Sequence, residues 1–232
     1  MGEALTLAFQ LVLAGDADLY EIVLLSIYVS ITATALACAI GLPIGALLAV
    51  LRFRGRATCL VIINALMGLP PVVVGLFVYL YLSRSGPLGF LGLLYTPTAM
   101  IIAQTILIAP IVTALTRQVI EDLHIEHHEP FQSFGLTPRQ TIQTLIWEGR
   151  FSLLTVALAG FGRAIAEVGA VMIVGGNIDH LTRVMTTAIA LETSKGNLPL
   201  ALALGVVLLI VALMVNVIAH GIRSRWIAGQ NV

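Results

Sequence analysis

The chain has 232 residues, of which 59% are hydrophobic and 10% are charged, and its formal net charge is zero. Its mean hydropathy of +1.01 lies far above that of soluble globular domains. The composition excludes an ordinary soluble domain and indicates a membrane protein, for which we expect lipid contacts and no nucleic-acid partner.

Residues 1–14 are apolar, but they lack the basic leader of a secretory signal and are followed by acidic residues. We therefore expect a short helix lying in the outer membrane interface. The predicted organisation is an N-terminal interfacial segment (1–18), a single transmembrane domain (19–226) and a short C-terminal tail (227–232).

Five apolar runs are long enough to cross a membrane. Four carry no Asp, Glu, Lys or Arg: 22–51, 57–83, 85–116 and 196–222. The remaining run, 151–178, is the fourth in chain order and is interrupted only by Arg163 and Glu167. A span needs about 20 helical residues, so we predict an all-α polytopic membrane protein with five transmembrane helices.

The third run is longer than a span requires, and glycines and prolines interrupt its first third. We expect a loop or short surface helix there, with the spanning helix beginning near Thr98. Prolines at 43, 70, 71 and 110 lie within or near three runs, where they can kink helices.

The distribution of cations predicts an N-out, C-in orientation, because Lys and Arg near span ends are retained in the cytoplasm. One side carries Arg52, Arg54, Arg56, Arg117, Arg139, Arg150, Arg223 and Arg225. The other side carries only Arg84, Arg183 and Lys195. With five spans, this alternation is self-consistent.

The longest polar interruption, about 121–148, predicts two short helices joined by a corner. Glu129 precedes Pro130, which suits the first position of a helix. Gly135 can end that helix in the left-handed conformation, with Leu136 folding back onto Phe131. Thr137, followed by a proline, then reads as a fresh N-cap.

This segment resembles the cytoplasmic loop of ABC importer permeases, whose signature is Glu-Ala-Ala, three residues, Gly, nine residues, Ile-x-Leu-Pro. Glu129 and Gly135 match in identity and spacing, and Leu145 is close to the isoleucine. Pro130 and Phe131 replace the alanines, and the final Leu-Pro is absent. The resemblance implies a type I importer-like fold and a coupling element that contacts a separate ATPase subunit. The candidate coupling residues are Glu129, Phe131, Gly135, Leu136 and Leu145.

Residues 161–178 are similar to the corresponding span of permeases for molybdate, tungstate and sulfate, and the match is closest to tungstate permeases. The shared core is Arg-x-x-x-Glu-x-Gly-Ala, and Arg-Val-Met-Thr-Thr at 183–187 extends the resemblance. It implies a translocation path with Arg163, Glu167, Gly169 and Asn177 as candidates. The outer loops offer a candidate periplasmic gate or binding-protein contact: Arg183, Thr186, Thr187 and Lys195.

Arg163 and Glu167 are one helical turn apart, so they are expected to share a face and pair. An unpaired charge at this depth costs at least ~2.5 kcal/mol, so the pair must face protein or water. Gly162, Ala166 and Ala170 would form a small-residue stripe permitting close packing. Two interpretations remain open, a helix lining a path at a subunit seam and a purely structural ion pair.

The sequence contains no phosphate-binding loop, so ATP must be hydrolysed by another chain. We therefore expect no catalytic residues, no bound metal and no cofactor on this chain, with ATP and Mg used by the partner ATPase. The histidines at 124, 127 and 128 do not form a zinc-binding motif.

The resulting hypothesis is a permease subunit of a multi-pass ABC importer in a prokaryotic cytoplasmic membrane, moving a tetrahedral oxyanion, most specifically tungstate. Its expected partners are a second copy of the chain, a dimer of ABC ATPase subunits and a periplasmic oxyanion-binding protein. Alternatives are a permease for molybdate, sulfate or another solute, an ion-coupled secondary carrier, and a non-transporting membrane scaffold.

Overall fold

A computed structural model describes Thr6 and residues 17–228, which form helices and connecting loops without any β-strand. In chain order the described α-helices are α1 (Ala17–Val50), α2 (Arg56–Met67), α3 (Pro71–Leu82), α4 (Pro97–Glu126), α5 (His128–Ser133), α6 (Pro138–Glu148), α7 (Arg150–Ile165), α8 (Gly169–Gly175), α9 (Met185–Ser194) and α10 (Leu198–Ala228). The predicted interfacial helix at 1–14 lies outside the described residues apart from Thr6, and so do the last four residues of the predicted tail.

Three of the five apolar runs are continuous helices long enough to span a membrane: Asp18–Val50, Pro97–Glu126 and Leu198–Ile218. The loop predicted before the third span is confirmed, because the segment between α3 and α4 contains only a 3₁₀ turn at Gly89–Leu91. That helix begins at Pro97, one residue before the predicted start. Pro43 and Pro110 lie inside α1 and α4 without ending either helix.

The second and fourth runs are each broken into two helices. The described residues therefore contain three helices long and apolar enough to cross a membrane, or up to five candidate spans if each broken pair is one span. In the second run, Pro70 has an extended backbone and Pro71 occupies the first turn of α3. The missing N–H groups of two consecutive prolines prevent a continuous hydrogen-bond ladder. In the fourth run α7 ends at Ile165 and α8 begins at Gly169.

The break in the fourth run corrects one prediction. Gly162, Ala166 and Ala170 were expected to share one helix face, but the helix ends before Ala166. Ala166 is exposed, whereas Ala170 is buried on α8. The expected stripe of small residues therefore does not exist as a single surface.

The described chain divides into two compact units, whose boundaries fall inside α1, α4 and α7 and between α2 and α3. Unit 1 comprises 1–33, 70–104 and 162–232. Within it α3 packs on α8, and a Cβ on Gly75 would lie 2.8 Å from Ala170 Cα. Leu19, Ala188 and Leu204 form a buried cluster. Small residues thus allow the short α8 to approach α3 closely.

Unit 2 comprises 34–69 and 105–161. Here α1 and α4 lie so close that a Cβ on Gly45 would be 2.6 Å from Thr113 O. Next to this contact is a core of five buried apolar residues: Ala46, Ala49, Ile120, Leu145 and Leu153. The core joins α1, α4, α6 and α7, so the short α6 is anchored to the long helices.

Candidate functional site

The first candidate site is the break between α7 and α8, where Glu167 lies. Its carboxylate accepts hydrogen bonds from the Arg163 guanidinium and, at 3.2 Å, from the Ala170 backbone N–H. The predicted pairing of Arg163 with Glu167 is therefore confirmed, although the two residues do not belong to one helix. The second bond satisfies an N–H in the first turn of α8, which has no partner within that helix.

The two partners differ in burial, since the Glu167 side chain is 4% exposed and the Arg163 side chain is 36% exposed. A buried carboxylate requires both a countercharge and hydrogen bonds to offset its loss of water. Arg163 and the Ala170 N–H supply them. The rest of the Arg163 side chain remains partly exposed.

The backbone of the break is also held in place. The Glu167 N–H donates to Ala164 O at 3.1 Å, and Thr186 Oγ1 donates to Glu167 O at 2.8 Å. Thr187 Oγ1 accepts from the Val184 N–H at 3.0 Å and caps α9. Thr186 and Thr187, predicted as outer-gate residues, both lie in the protein interior.

Gln104 was missed by the sequence analysis. Its side-chain amide donates to Ala164 O at 3.1 Å, while its Oε1 atom is buried and accepts no hydrogen bond from the described residues. Gln104, Glu167 and Thr186 line a polar cavity of about 10 Å³, room for about one water molecule. The sequence signal for Gln104 is that it is a polar residue within an otherwise apolar span.

Two further path candidates flank α8. A Cβ on Gly169 would lie 2.9 Å from Val72 Cγ2, so glycine permits the contact between α8 and α3. Asn177 has a φ of +50° and follows Gly176, the left-handed C-cap of α8. The structure thus places Gly169 at the start of α8 and Asn177 just beyond its end.

The remaining outer candidates are ion-paired. Arg183 pairs with Asp179, and Lys195 Nζ lies 2.8 Å from Glu192 Oε1. The hydrogen bond from Lys195 holds the pKa of Glu192 below its ordinary value, with a smaller contribution from the Asn197 amide. Both cations belong to loops or helix ends around α9, and Lys195 is largely exposed.

Sequence reasoning missed the ion pair between His180 and Glu21. His180 Nδ1 lies 2.8 Å from Glu21 Oε2. The hydrogen bond with Glu21, followed by the charge of Asp179, raises the pKa of His180 above its ordinary value. The two partners are 159 residues apart in the chain, so no local pattern could indicate this pair.

The second candidate site is the segment from α5 to α6, called here the docking segment (128–148). Gly135 has a φ of +60°, and the Leu136 N–H donates to Phe131 O at 3.2 Å. This bond is the one expected of a helix that ends at a left-handed glycine. Thr137 caps α6 through a reciprocal box with Gln140. The predicted helix, corner and helix are confirmed, except that α5 begins at His128, two residues before Pro130.

The docking segment has an anchored side and an exposed side. Leu145 is fully buried in the core of unit 2, and Phe131 packs against the same core while its ring stacks on His127. Glu129 and Gly135 are exposed. Phe134 is 80% exposed, although it is a large apolar residue. Its position directly before the corner glycine is the sequence signal for this exposure.

Comparisons with known proteins show the family of this chain. Residues 41–227 match the family described as binding-protein-dependent transport system inner membrane component. The tungstate uptake system permease protein TupB of Peptoclostridium acidaminophilum is 42% identical over 97% of this chain and 99% of its own length. The protein of the same name from Campylobacter jejuni is 43% identical over 74% of this chain and 72% of its own length. A probable anion ABC transporter permease protein of Haloferax volcanii is 42% identical, covering 89% of this chain and 91% of its own length.

Proposed function

The chain belongs to the family of binding-protein-dependent transport system inner membrane components, and we propose that it moves tungstate through the cytoplasmic membrane into a prokaryotic cell. The observation that carries this proposal is the near-full-length identity to a permease named for tungstate uptake. A second permease of that name and one named for an anion support the same class of substrate. Family membership disfavours the two rivals of other classes, a secondary carrier and a scaffold.

We propose that the working importer contains two copies of this chain, a dimer of ABC ATPase subunits and a periplasmic oxyanion-binding protein. ATP and Mg are bound by the ATPase subunits. The N-terminus faces outward and the C-terminus inward, so that the docking segment lies in the cytoplasm. In this arrangement ATP-driven closure of the ATPase subunits acts on the docking segment, and access to the anion path alternates between the two sides.

The docking segment is suited to this role because its exposed and anchored sides are separate. Phe134 and Glu129 are available to a partner, while Leu145 and Phe131 hold the segment on the core of unit 2. Exposed aromatic residues on a rigid support are typical anchors of protein interfaces. We propose that Phe134 enters a groove on the ATPase subunit and that Gly135 and Leu136 fix the angle at which it does so.

Arg163 is the residue that we propose for anion electrostatics. Its exposed side supplies positive potential, which lowers the barrier for a doubly charged anion. Glu167 holds the guanidinium when the path is empty, and Gly169 and Asn177 continue the proposed path along α8. At the outer face, Arg183 and Lys195 are the proposed contacts for the binding protein. Thr186 and Thr187 contribute indirectly, by holding the start of α9.

The decisive experiment replaces Gly135 by Val in the reconstituted importer. The φ of +60° at this position strains any β-branched residue by about 1 to 2 kcal/mol, while a side chain there would meet open space. We expect the corner to distort, so that binding-protein-stimulated ATP hydrolysis and uptake of labelled tungstate both fail while membrane insertion survives.

A matched control is Gly92→Val, which introduces the same strain at a glycine of φ +61° that also borders open space. It should retain stimulated hydrolysis. Full coupling in Gly135→Val would refute the docking role. Excess molybdate or sulfate should compete with tungstate less well than unlabelled tungstate does, and equal competition would broaden the substrate class to oxyanions in general.

A further inference from the structure

Arg56 connects the end of one helix with the start of the next. It is the first residue of α2, and its Nε donates to Leu48 O at 2.7 Å. Leu48 lies in the last turn of α1, where backbone carbonyls have no partner within the helix. Arg56 therefore caps α1 and closes the turn between α1 and α2.

The same guanidinium reaches a third helix. Arg56 Nη2 lies 2.8 Å from Glu121 Oε1, and Glu121 Oε2 accepts a hydrogen bond from Arg117 on the preceding turn of α4. The three side chains are between 25% and 30% exposed, so solvent screens the pairs only in part. One carboxylate thus joins the α1–α2 turn to α4.

Glu121 adjoins the residues that carry the docking segment. Ile120, its neighbour, is fully buried against Leu145 of α6. One turn later, Leu123 packs against the same core and its carbonyl oxygen lies 3.0 Å from His127 Nδ1. The Phe131 ring stacks on the His127 ring, with centroids 5.8 Å apart. The contacts from Glu121 to the docking segment are therefore continuous.

We propose that Glu121 is a positioning residue for energy coupling, which makes the docking segment and the α1–α2 turn move as one body. This inference rests on the proposed function of the docking segment. Stability alone does not explain the arrangement, because partly exposed ion pairs contribute little to folding. α1 and α4 already share the core of unit 2, but pairing with Arg117 alone would leave Glu121 without an ion pair to the start of α2. The second arginine, from 65 residues away, supplies that connection.

The test uses Glu121→Gln, a neutral residue of the same shape, in the full chain reconstituted with its ATPase subunit and binding protein. The readout is the number of tungstate ions transported per ATP hydrolysed, measured on assembled complexes. We expect this ratio to fall about fivefold while assembly and hydrolysis persist. A purely structural defect would lower the yield of complexes without changing the ratio.

The matched control is Asp122→Asn, which removes the same charge from the next residue of α4. Asp122 takes part in none of the ion pairs formed by the described residues. Its transport ratio should equal that of the wild type. Equal ratios in Glu121→Gln and Asp122→Asn would overturn the proposal.

A double-mutant cycle tests the route through Arg56. Arg56→Gln should lower the ratio as Glu121→Gln does, and the double variant should be no worse than either single variant. Independent, multiplicative losses would contradict the shared route. If Glu121→Gln does not assemble, Arg56→Lys carries the test. The single side-chain nitrogen of lysine replaces the two arginine nitrogens that contact Leu48 and Glu121. The transport ratio should therefore fall less than in Arg56→Gln, and an unchanged ratio overturns the proposal.

The two proposals fail separately. A normal ratio in Gly135→Val would show that the docking segment does not couple, whatever Glu121→Gln does. A defect in Gly135→Val together with a normal ratio in Glu121→Gln would remove only the positioning role.

Discussion

Two Arg–Glu pairs with the same spacing, Arg163–Glu167 and Arg117–Glu121, lie in very different surroundings. Glu121 belongs to the continuous helix α4 and is 30% exposed, whereas Glu167 lies in a helix break and is 4% exposed. Glu121 receives a second arginine, while Glu167 receives a backbone N–H. The four-residue spacing predicts both pairs, but the burial of each glutamate determines how strongly the loss of its pair affects folding.

The two ion pairs differ in how much their loss should lower the free energy of unfolding. Glu167 is buried, so losing Arg163 would leave its carboxylate charged with little solvation. Glu121 retains water, so its removal should hardly affect folding. The buried pair is therefore expected to govern whether the protein folds, and the partly exposed one how its parts move. The predictions that follow test this contrast and extend it to other contacts.

The largest expected effect is that of Arg163→Ala. It leaves the buried Glu167 carboxylate without its countercharge, so we expect a loss of about 4 kcal/mol in the free energy of unfolding. The measurement is the folded yield and the thermal unfolding midpoint in detergent. A midpoint like that of the wild type would mean that the carboxylate is not buried as described.

The double variant Arg163→Gln with Glu167→Gln distinguishes a structural role of this pair from a role in the anion path. Because no charged group is left unpaired at the break, folding should recover to a large extent. Tungstate uptake should stay low, because the positive potential facing the anion is gone. Wild-type uptake in the folded double variant would leave the pair with a structural role alone.

The next prediction concerns Leu145→Ala in the anchored side of the docking segment. Leu145 is fully buried among Ala46, Ile120 and Leu153, so truncation should leave a cavity and cost about 3 kcal/mol of stability. A thermal unfolding scan measures it. Trp147→Ala is the control on the same helix, because Trp147 is 69% exposed and its loss should change the midpoint little.

The sequence predicted the parts of these sites that depend on local chemistry. Gly135, Thr137 and the residues beside them specify a helix end and a helix start through bonds within six residues, so the corner was predicted correctly. The pairing of Arg163 with Glu167 was also confirmed, because a separation of four residues brings the two side chains together.

What the sequence could not supply depends on contacts made far along the chain. Ala166, Glu167 and Val168 contain neither glycine nor proline, and their break is held by Thr186 and by the close approach of Ala170 to Gly75. Thr186 was predicted as an outer-gate residue, and its burial depends on packing between distant segments. The network at Glu121 likewise needs Arg56, which no local pattern connects to α4.

A smaller effect is expected for Phe134→Ala on the exposed side of the docking segment. Phe134 is not part of the core of unit 2, so the unfolding midpoint should not change. Affinity for the ATPase subunit should fall by about 1 to 2 kcal/mol, as for an aromatic anchor of an interface. Titration of the purified subunits measures it. Unchanged affinity would place the contact elsewhere on the segment, and Phe134→Leu should retain part of the binding.

The smallest effect belongs to the most exposed ion pair, Glu21 with His180, and it should depend on pH. The hydrogen bond that His180 donates to the Glu21 carboxylate, aided by the charges of Asp179 and Asp18, raises the pKa of His180 above its ordinary value of 6.5. A raised histidine pKa contributes stability that is fully present below pH 6.5 and is lost as the pH rises through the folded-state pKa. Glu21→Gln should therefore lower the unfolding midpoint slightly in acid and not at all in alkali. His180→Gln should show the same pH dependence, because either change removes the pair. A Glu21→Gln defect that persists in alkali would mean that Glu21 stabilises the protein through a contact other than the histidinium.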